Sequence, residues 1–172
     1  MTLEDYTNIL RNKTGQPVPD FDPDGPLSDA EYLVVLLRPG QRGAGQTNIL
    51  SPTKNDDQTA RNMRELFTDA GWEMDRILFS NICPYPDPAG GNAKPTSEEI
   101  RLGTAYLRRL ITLLPKLKAV ALMGLDAQKA APELKNLGVK VVCTYHPSPL
   151  VKANKSKYET IVPNLAAILE RK

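Results

Sequence analysis

The chain contains one histidine, His146, and its position favours a chemical role. It follows the apolar run VKVVCTY and precedes Pro147 and Pro149, so a stiff loop carries it at the end of a predicted strand. A neutral imidazole can donate a hydrogen bond to an oxygen that gains negative charge during a reaction. A lone histidine is more often structural, but this position predicts a functional side chain.

Asn81 stands in a similar place, after the apolar run RILFS and before a proline-containing loop. Its amide offers donors and an acceptor, so it can bind the amide-like edge of a planar ligand. A turn residue or a helix cap is an equally good explanation, and the spacing does not choose between them.

A third loop begins with Arg38-Pro39-Gly40 and contains Gly43 and Gly45. Such a loop lets its backbone come close to a phosphate or a base. It is not a P-loop and lacks the GxGxxG spacing of dinucleotide-binding folds. A flexible connection from strand to helix explains it as well.

Two further groups of residues could do chemistry. Asn55, Asp56 and Asp57 precede a predicted helix, where a helix N-cap is the simplest role, although an acid there could also orient a water. Cys83 and Cys143 are predicted to be small core residues; a thiol nucleophile paired with the histidine is the minor alternative. The sequence has no HExxH, GxSxG or CxxC motif.

The pattern of apolar runs predicts the elements that must position these residues. Strands are predicted within EYLVVLL, RILFSNI, KAVALM and VKVVCTY, and the segments between them have helical spacing. Capping boxes predict helix starts at Thr96-x-x-Glu99 and Ser156-x-x-Glu159, with Pro163 delaying or kinking the last helix. This alternation predicts a three-layer α/β/α fold with a four-stranded parallel sheet, whose carboxyl ends carry the three unusual loops.

Composition bounds the class of protein. A length of 172 residues with 41% hydrophobic and 24% charged residues predicts one globular α/β domain, residues 31–172, after an acidic, proline-rich extension, residues 1–30. Residues 1–31 carry seven acids and two bases (−5), so the remaining 141 residues carry 20 bases and 13 acids (+7). A basic body is compatible with a polyanionic partner.

The N-terminal sequence lacks an apolar signal core and no apolar run is long enough for a membrane span, which predicts a cytoplasmic protein that binds no membrane.

Taken together, the loops resemble those of the uracil-DNA glycosylase superfamily. HPSPL, residues 146–150, is similar to the second motif of that superfamily, and SNICPYP, residues 80–86, resembles its strand-end Asn motif in bacterial members. LLRPG, residues 36–40, aligns with the first motif, and AKPTSEEI resembles the start of the helix that follows. The resemblance covers about residues 31–170.

The resemblance implies a monofunctional enzyme that rotates a damaged base out of DNA and hydrolyses its glycosidic bond, leaving an abasic site. Asn81 would bind the edge of the base, and His146 would hydrogen-bond the uracil carbonyl as the base leaves. By the same resemblance Pro39, Gly40 and Tyr85 would lie beside the base, while Arg38, Arg42, Ser148 and Leu150 would contact DNA, Leu150 by filling the vacated space. A monomer without metal or cofactor is implied; two cysteines are too few for the iron–sulfur branches.

One position departs from the superfamily pattern. The first motif often has Asp or Asn before its proline to activate water, and here that residue is Arg38, with Leu36 in place of a glycine. Because arginine stays protonated, it cannot act as a base. Asn55, Asp56 and Asp57 are the candidates to position the water, unless the reaction depends on His146 alone.

Two other functions are compatible with these residues. Arg38 would suit a non-catalytic protein that binds uracil-containing or abasic DNA. A binder of a nucleotide or sugar phosphate could use the same scaffold. DNA binding would weaken steeply with salt, whereas small-molecule binding would not.

Overall fold

The computed structural model describes residues 1–91 and 93–169. The strands are β1 (Asp20–Phe21), β2 (Tyr32–Leu36), β3 (Ile49–Leu50), β4 (Ile77–Asn81), β5 (Ala119–Met123) and β6 (Lys140–Thr144). The helices are α1 (Leu3–Thr14), α2 (Ala44–Thr47), α3 (Gln58–Asp69), α4 (Ser97–Ile111), α5 (Leu125–Gln128), α6 (Ala131–Lys135), α7 (Pro149–Ala153), α8 (Lys155–Tyr158) and α9 (Ile161–Ala166). The segment LDAQKAAPELK, between β5 and β6, is divided into α5 and α6.

Four of the strands form one parallel sheet in the order β4-β2-β5-β6. At its centre, Val34 of β2 pairs with Phe79 of β4 on one side and with Ala121 of β5 on the other. Because these strands are parallel, their carboxyl ends meet at a single edge of the sheet. The predicted four-stranded parallel sheet is confirmed.

Helices cover both faces of this sheet, because successive residues of a strand point to opposite sides. Leu33 and Val35 of β2 pack into one core cluster, whereas Tyr32, Val34 and Leu36 pack into another. Helices α1, α4 and α6 contribute to the first cluster, and α3 and α9 to the second. The fold therefore has the three α/β/α layers that the sequence pattern predicts.

The N-terminal segment packs on the body rather than extending from it. Helix α1 begins with a capping box between Thr2 and Asp5, and it buries Leu3, Tyr6 and Leu10 in the first core cluster. After it, β1 pairs with β3 in parallel register. The proline-rich stretch is thus an extended segment that wraps along the body.

The C-terminal helices correct one prediction. The capping box at Thr96 and Glu99 is present, but the one predicted at Ser156 is not. Helix α8 is capped instead by Asn154, whose side chain accepts a hydrogen bond from the backbone amide of Lys157, so Ser156 lies inside the helix. Pro163 lies in the first turn of α9, where its missing N–H costs no helical bond.

Within the described ranges, 1–91 and 93–169, no helix has the length and apolar content to cross a membrane.

Candidate functional site

A cavity of about 370 Å³ opens beyond the carboxyl ends of β2 and β4, beside the loop that leaves β6. Most of the residues that the sequence predicts for a site lie in its wall. They are Arg38, Pro39, Gly40, Asn55, Asp57, Asn81, His146 and Ser148. Apolar side chains from β2, β4 and α3 complete the wall, as expected for a pocket that admits a planar ring.

Asn81 is the last residue of β4, and only 7% of its surface is exposed. Its amide group makes no hydrogen bond to any of the described residues, although it lines the cavity. An amide that lines a cavity and has no protein partner can donate to and accept from a ligand or water there. The turn or cap role left open by the sequence is not what its side chain does here.

His146 lies half-buried in the cavity wall, two residues after the end of β6. Burial lowers the pKa of its imidazole to about 4, and the nearby Asp57 carboxylate only partly opposes this effect. The ring is therefore neutral at neutral pH. Gly124, with φ of +96°, lets the backbone after β5 approach this ring; a Cβ atom there would lie 3.2 Å from the Cβ of His146.

Asn62 of α3 holds the His146 loop in place, and the sequence analysis did not identify it. Its side chain is fully buried and donates a 2.9 Å hydrogen bond from Nδ2 to the backbone oxygen of Pro147. Its Oδ1 accepts hydrogen bonds from Gln58 at 2.9 Å and from Lys152 at 3.0 Å. An asparagine next to the apolar positions of a helix is the only sequence signal, and it does not reveal a partner 85 residues away.

The three polar residues before α3 have different surroundings. Asp57 caps α3, since its Oδ1 accepts a 3.1 Å hydrogen bond from the amide of Ala60, while its Oδ2 accepts none from the described residues. That free oxygen lies against Gly43, where an added Cβ would come within 2.3 Å of it. Asp57 thus serves as the N-cap and still presents a carboxylate oxygen to the cavity region.

The side chains of Asn55 and Asp56, the two residues before Asp57, bind other parts of the protein. The amide of Asn55 accepts a 2.6 Å hydrogen bond from Thr47 and donates one of 3.0 Å to the backbone oxygen of Ile49. Asp56 is exposed and pairs with Arg61. Asn55 lines the cavity, while its side chain holds the loop together; the catalytic role expected for it stays a prediction.

Arg38 and Tyr85 also lie differently from the expectation. Arg38, predicted to contact DNA, has a side chain only 4% exposed that lines the cavity, with its guanidinium 3.6 Å from Oε1 of Glu99. Tyr85, predicted to lie beside the base, is not in the cavity wall and donates a 3.2 Å hydrogen bond to the same Glu99 oxygen. Both side chains contact Glu99, at the start of α4, and the DNA and base contacts expected for them stay predictions.

The remaining predicted DNA contacts lie where a large ligand can reach them. Arg42 is exposed, and Leu150 is 83% exposed directly after the His146 loop. Ser148 caps α7 by accepting a hydrogen bond from the amide of Val151. The positions suit contacts to an external polymer; the roles themselves stay predictions.

The cysteines are outside the cavity wall. Burial raises the pKa of the Cys83 thiol to about 11, which opposes formation of a thiolate. Cys143 is exposed on β6, and burial of its sulfur also raises its pKa. Among the residues that the structure describes, no group of three or more His, Cys, Asp or Glu side chains could hold a metal ion.

Comparisons with known proteins identify the family of the chain. The family model described as the uracil DNA glycosylase superfamily matches residues 23–166. No curated protein matches the chain. Among solved structures, wild-type UNG from Nitratifractor salsuginis is similar over 81% of this chain and 74% of its own, with 14% identity and a TM-score of 0.35. Since the family model spans most of the α/β body, the chain belongs to the uracil DNA glycosylase superfamily.

Proposed function

We propose that this protein is a monofunctional DNA glycosylase that removes uracil from DNA and leaves an abasic site. The observation that carries the proposal is the meeting of Asn81 and His146, from two different strand ends, in one cavity with unpartnered polar groups. The family match over residues 23–166 supports a glycosylase. The choice of uracil rests on the chemistry of the cavity.

In this proposal the uracil base leaves the DNA stack and enters the cavity, because its glycosidic bond is out of reach inside a duplex. The Asn81 amide pairs with the base, donating to a carbonyl oxygen and accepting from the ring N3–H. This pattern distinguishes uracil from cytosine, whose equivalent edge has an acceptor at N3 and a donor at the exocyclic amine. Pro39 and Gly40 border the base, and the apolar wall excludes water from it.

The bond between C1′ of the sugar and N1 of the base breaks with its electron pair moving to the base. Neutral His146 donates a hydrogen bond to the uracil carbonyl oxygen on which that charge accumulates. The free oxygen of Asp57 holds a water and accepts its proton as the water attacks C1′. Asp57 thereby activates the water, a role that the first motif cannot fill because it has Arg38 in place of an acid or amide. No metal or cofactor takes part in these steps.

Contacts to DNA come from residues around the cavity mouth. Ser148 and Arg42 bind phosphates, and Leu150 enters the space that the base has left. We expect the protein to act as a monomer in the cytoplasm.

The test uses oligonucleotides with one uracil, single- and double-stranded, followed by alkali, which cleaves the strand at an abasic site. Cleavage by the wild-type protein, retained in EDTA and lost in folded His146→Ala and Asn81→Ala variants, supports the proposal. Tight, salt-sensitive binding of uracil-containing or abasic DNA without cleavage at any deaminated base would instead make it a binding protein. Salt-insensitive binding of nucleotides alone would point to a small-molecule binder.

A further inference from the structure

Arg38 brings a positive charge into the cavity. Of the described residues that line the cavity, Arg38 is the one with a cationic side chain, because the imidazole of His146 is neutral there. Its side chain is 4% exposed, so water solvates the guanidinium poorly. A cation in such surroundings interacts with a ligand charge more strongly than it would in bulk water.

The guanidinium is only partly satisfied by the protein. Its contact with Glu99 is long, at 3.6 Å, and its buried Nε has no hydrogen-bond partner. Arginine has five N–H donors, and a buried donor without an acceptor is costly. The other donors of this guanidinium also make no hydrogen bond to the described residues, and because Arg38 lines the cavity they are available to an acceptor on a ligand.

The Glu99 carboxylate holds this guanidinium in place. Its Oε2 accepts a 2.8 Å hydrogen bond from the amide of Thr96, in the capping box of α4, and its Oε1 accepts the hydrogen bond from Tyr85. The backbone hydrogen bond from Thr96 keeps the pKa of Glu99 below its ordinary value, so the carboxylate stays ionised. These two hydrogen bonds position the Glu99 carboxylate, which in turn positions the guanidinium of Arg38.

We infer that Arg38 is a catalytic residue that donates hydrogen bonds from its guanidinium to the departing base and stabilises the negative charge on it. The inference rests on the proposed function and extends it. When the C1′–N1 bond breaks, the base takes the electron pair and spreads the charge over N1 and its two carbonyl oxygens. His146 serves one part of this anion with a neutral donor, and Arg38 serves another with a full charge. The released base later takes a proton from solvent.

This arrangement also sets the class of base. A fixed cation favours bases that depart as anions, such as uracil and 5-substituted uracils. It disfavours bases that are already cationic in DNA, such as those alkylated on a ring nitrogen. We expect no excision of that second class.

The test compares uracil with 5-fluorouracil, whose ring fluorine makes it the better leaving anion. In single-turnover measurements on oligonucleotides, we expect Arg38→Gln to slow uracil excision about 100-fold and 5-fluorouracil excision only about 10-fold, the scale of losing one charge-stabilising donor. The matched control is Arg101→Gln, an exposed arginine of α4 that pairs with Glu98, and it leaves both rates unchanged. Equal slowing of both substrates, or no slowing, would overturn the inference.

A second measurement keeps the test decisive if Arg38→Gln does not fold. Binding of free 5-fluorouracil to the wild-type protein is measured by calorimetry as the pH rises through its ionisation. We expect binding to tighten as the anion forms, and weaker binding of the anion would overturn the role of Arg38. If the wild-type protein excises no base yet binds the anion more tightly, the proposed function fails while the cationic pocket stands.

Discussion

The loop after β2 and the loop after β6 each bring one basic side chain to the same cavity. Arg38, after β2, is cationic, whereas His146, after β6, is neutral. His146 is neutral because burial lowers the pKa of its imidazole to about 4. The side chain of Arg38 is only 4% exposed, yet a guanidinium keeps its charge in proteins. It therefore needs a counterion, which Glu99 supplies.

The two loops also depend on different anchors. The loop after β6 is held by a neutral hydrogen bond from Asn62 of α3, on one face of the sheet. The side chain of Arg38 is held by an ionised carboxylate from α4, on the other face. One pocket can thus contain both a neutral donor and a fixed cation, because a neutral hydrogen bond anchors the first and an ionised carboxylate anchors the second.

The largest effect is expected for His146→Leu, which keeps a side chain of similar size but removes the imidazole donor from the loop after β6. We expect uracil excision to slow about 100- to 1,000-fold, since one donor to the developing oxyanion is lost. Single-turnover rates measure this. The control is Cys143→Ser, on the preceding strand and outside the cavity wall, which leaves the rate unchanged. A large loss in that control would favour the thiol mechanism instead.

The next largest effect is expected for a substitution of Asp57, whose carboxylate lies against Gly43 and near His146. Asp57→Asn preserves the N-cap of α3, because asparagine caps helices as well as aspartate does, but removes the proton acceptor. We expect excision to slow about 100-fold, with an unchanged melting temperature. Asp56→Asn is the matched control: its side chain is exposed and paired with Arg61, so its rate stays at the wild-type value. Equal rates for the two variants would remove Asp57 from the mechanism.

A smaller effect is expected when the anchor of the β6 loop is removed. Asn62→Ala leaves the backbone oxygen of Pro147 without its donor, which costs about 1–3 kcal/mol in the free energy of unfolding. We expect excision to slow about 10-fold because His146 is less well placed. Denaturant unfolding and single-turnover rates measure the two effects. Gln58→Ala removes only one of the hydrogen bonds to Asn62, and an equally large loss there would contradict this role.

The last prediction concerns the pH dependence of stability that comes from the neutral histidine. Between pH 6.5, the ordinary pKa of histidine, and about 4, the unfolded chain binds a proton at His146 that the folded chain does not. The free energy of unfolding should therefore fall as the pH decreases through this window, by about 1.4 kcal/mol per pH unit from this group. Denaturant titrations of the wild type and His146→Gln measure the difference. Parallel curves for the two proteins would mean that the imidazole is solvated in the folded state.

The sequence predicted the main strands and the parallel sheet well, because these features depend on local patterns of residues. Apolar runs such as YLVVL are of strand length and indicate strands buried on both faces, and their alternation with helical segments indicates a parallel sheet. The edge at which Asn81 and His146 meet followed from the same reasoning. The short C-terminal helices were harder, since Asn154 and Ser156 are both good caps and their choice depends on tertiary packing.

Partners distant in the chain were beyond the reach of sequence patterns. Arg38 and Tyr85 were predicted to face DNA and base, respectively, whereas both are drawn to Glu99, up to 61 residues away. Asn62 gave no sign of its contact with Pro147. Of three candidate polar residues before α3, only the folded chain distinguishes Asp57, with a free oxygen, from Asn55 and Asp56, whose side chains are engaged.

The sequence by itself determined the α/β layers, the edge of the sheet that carries the site, and the residue types available there, because periodicity and strand ends are local properties. Only the tertiary structure decided their electrostatics. Burial makes His146 neutral, Glu99 holds Arg38 as a cation against the cavity, and the cap position of α3 leaves one oxygen of Asp57 free. Charge state and hydrogen-bond satisfaction depend on what surrounds a side chain in space, which no single stretch of sequence contains.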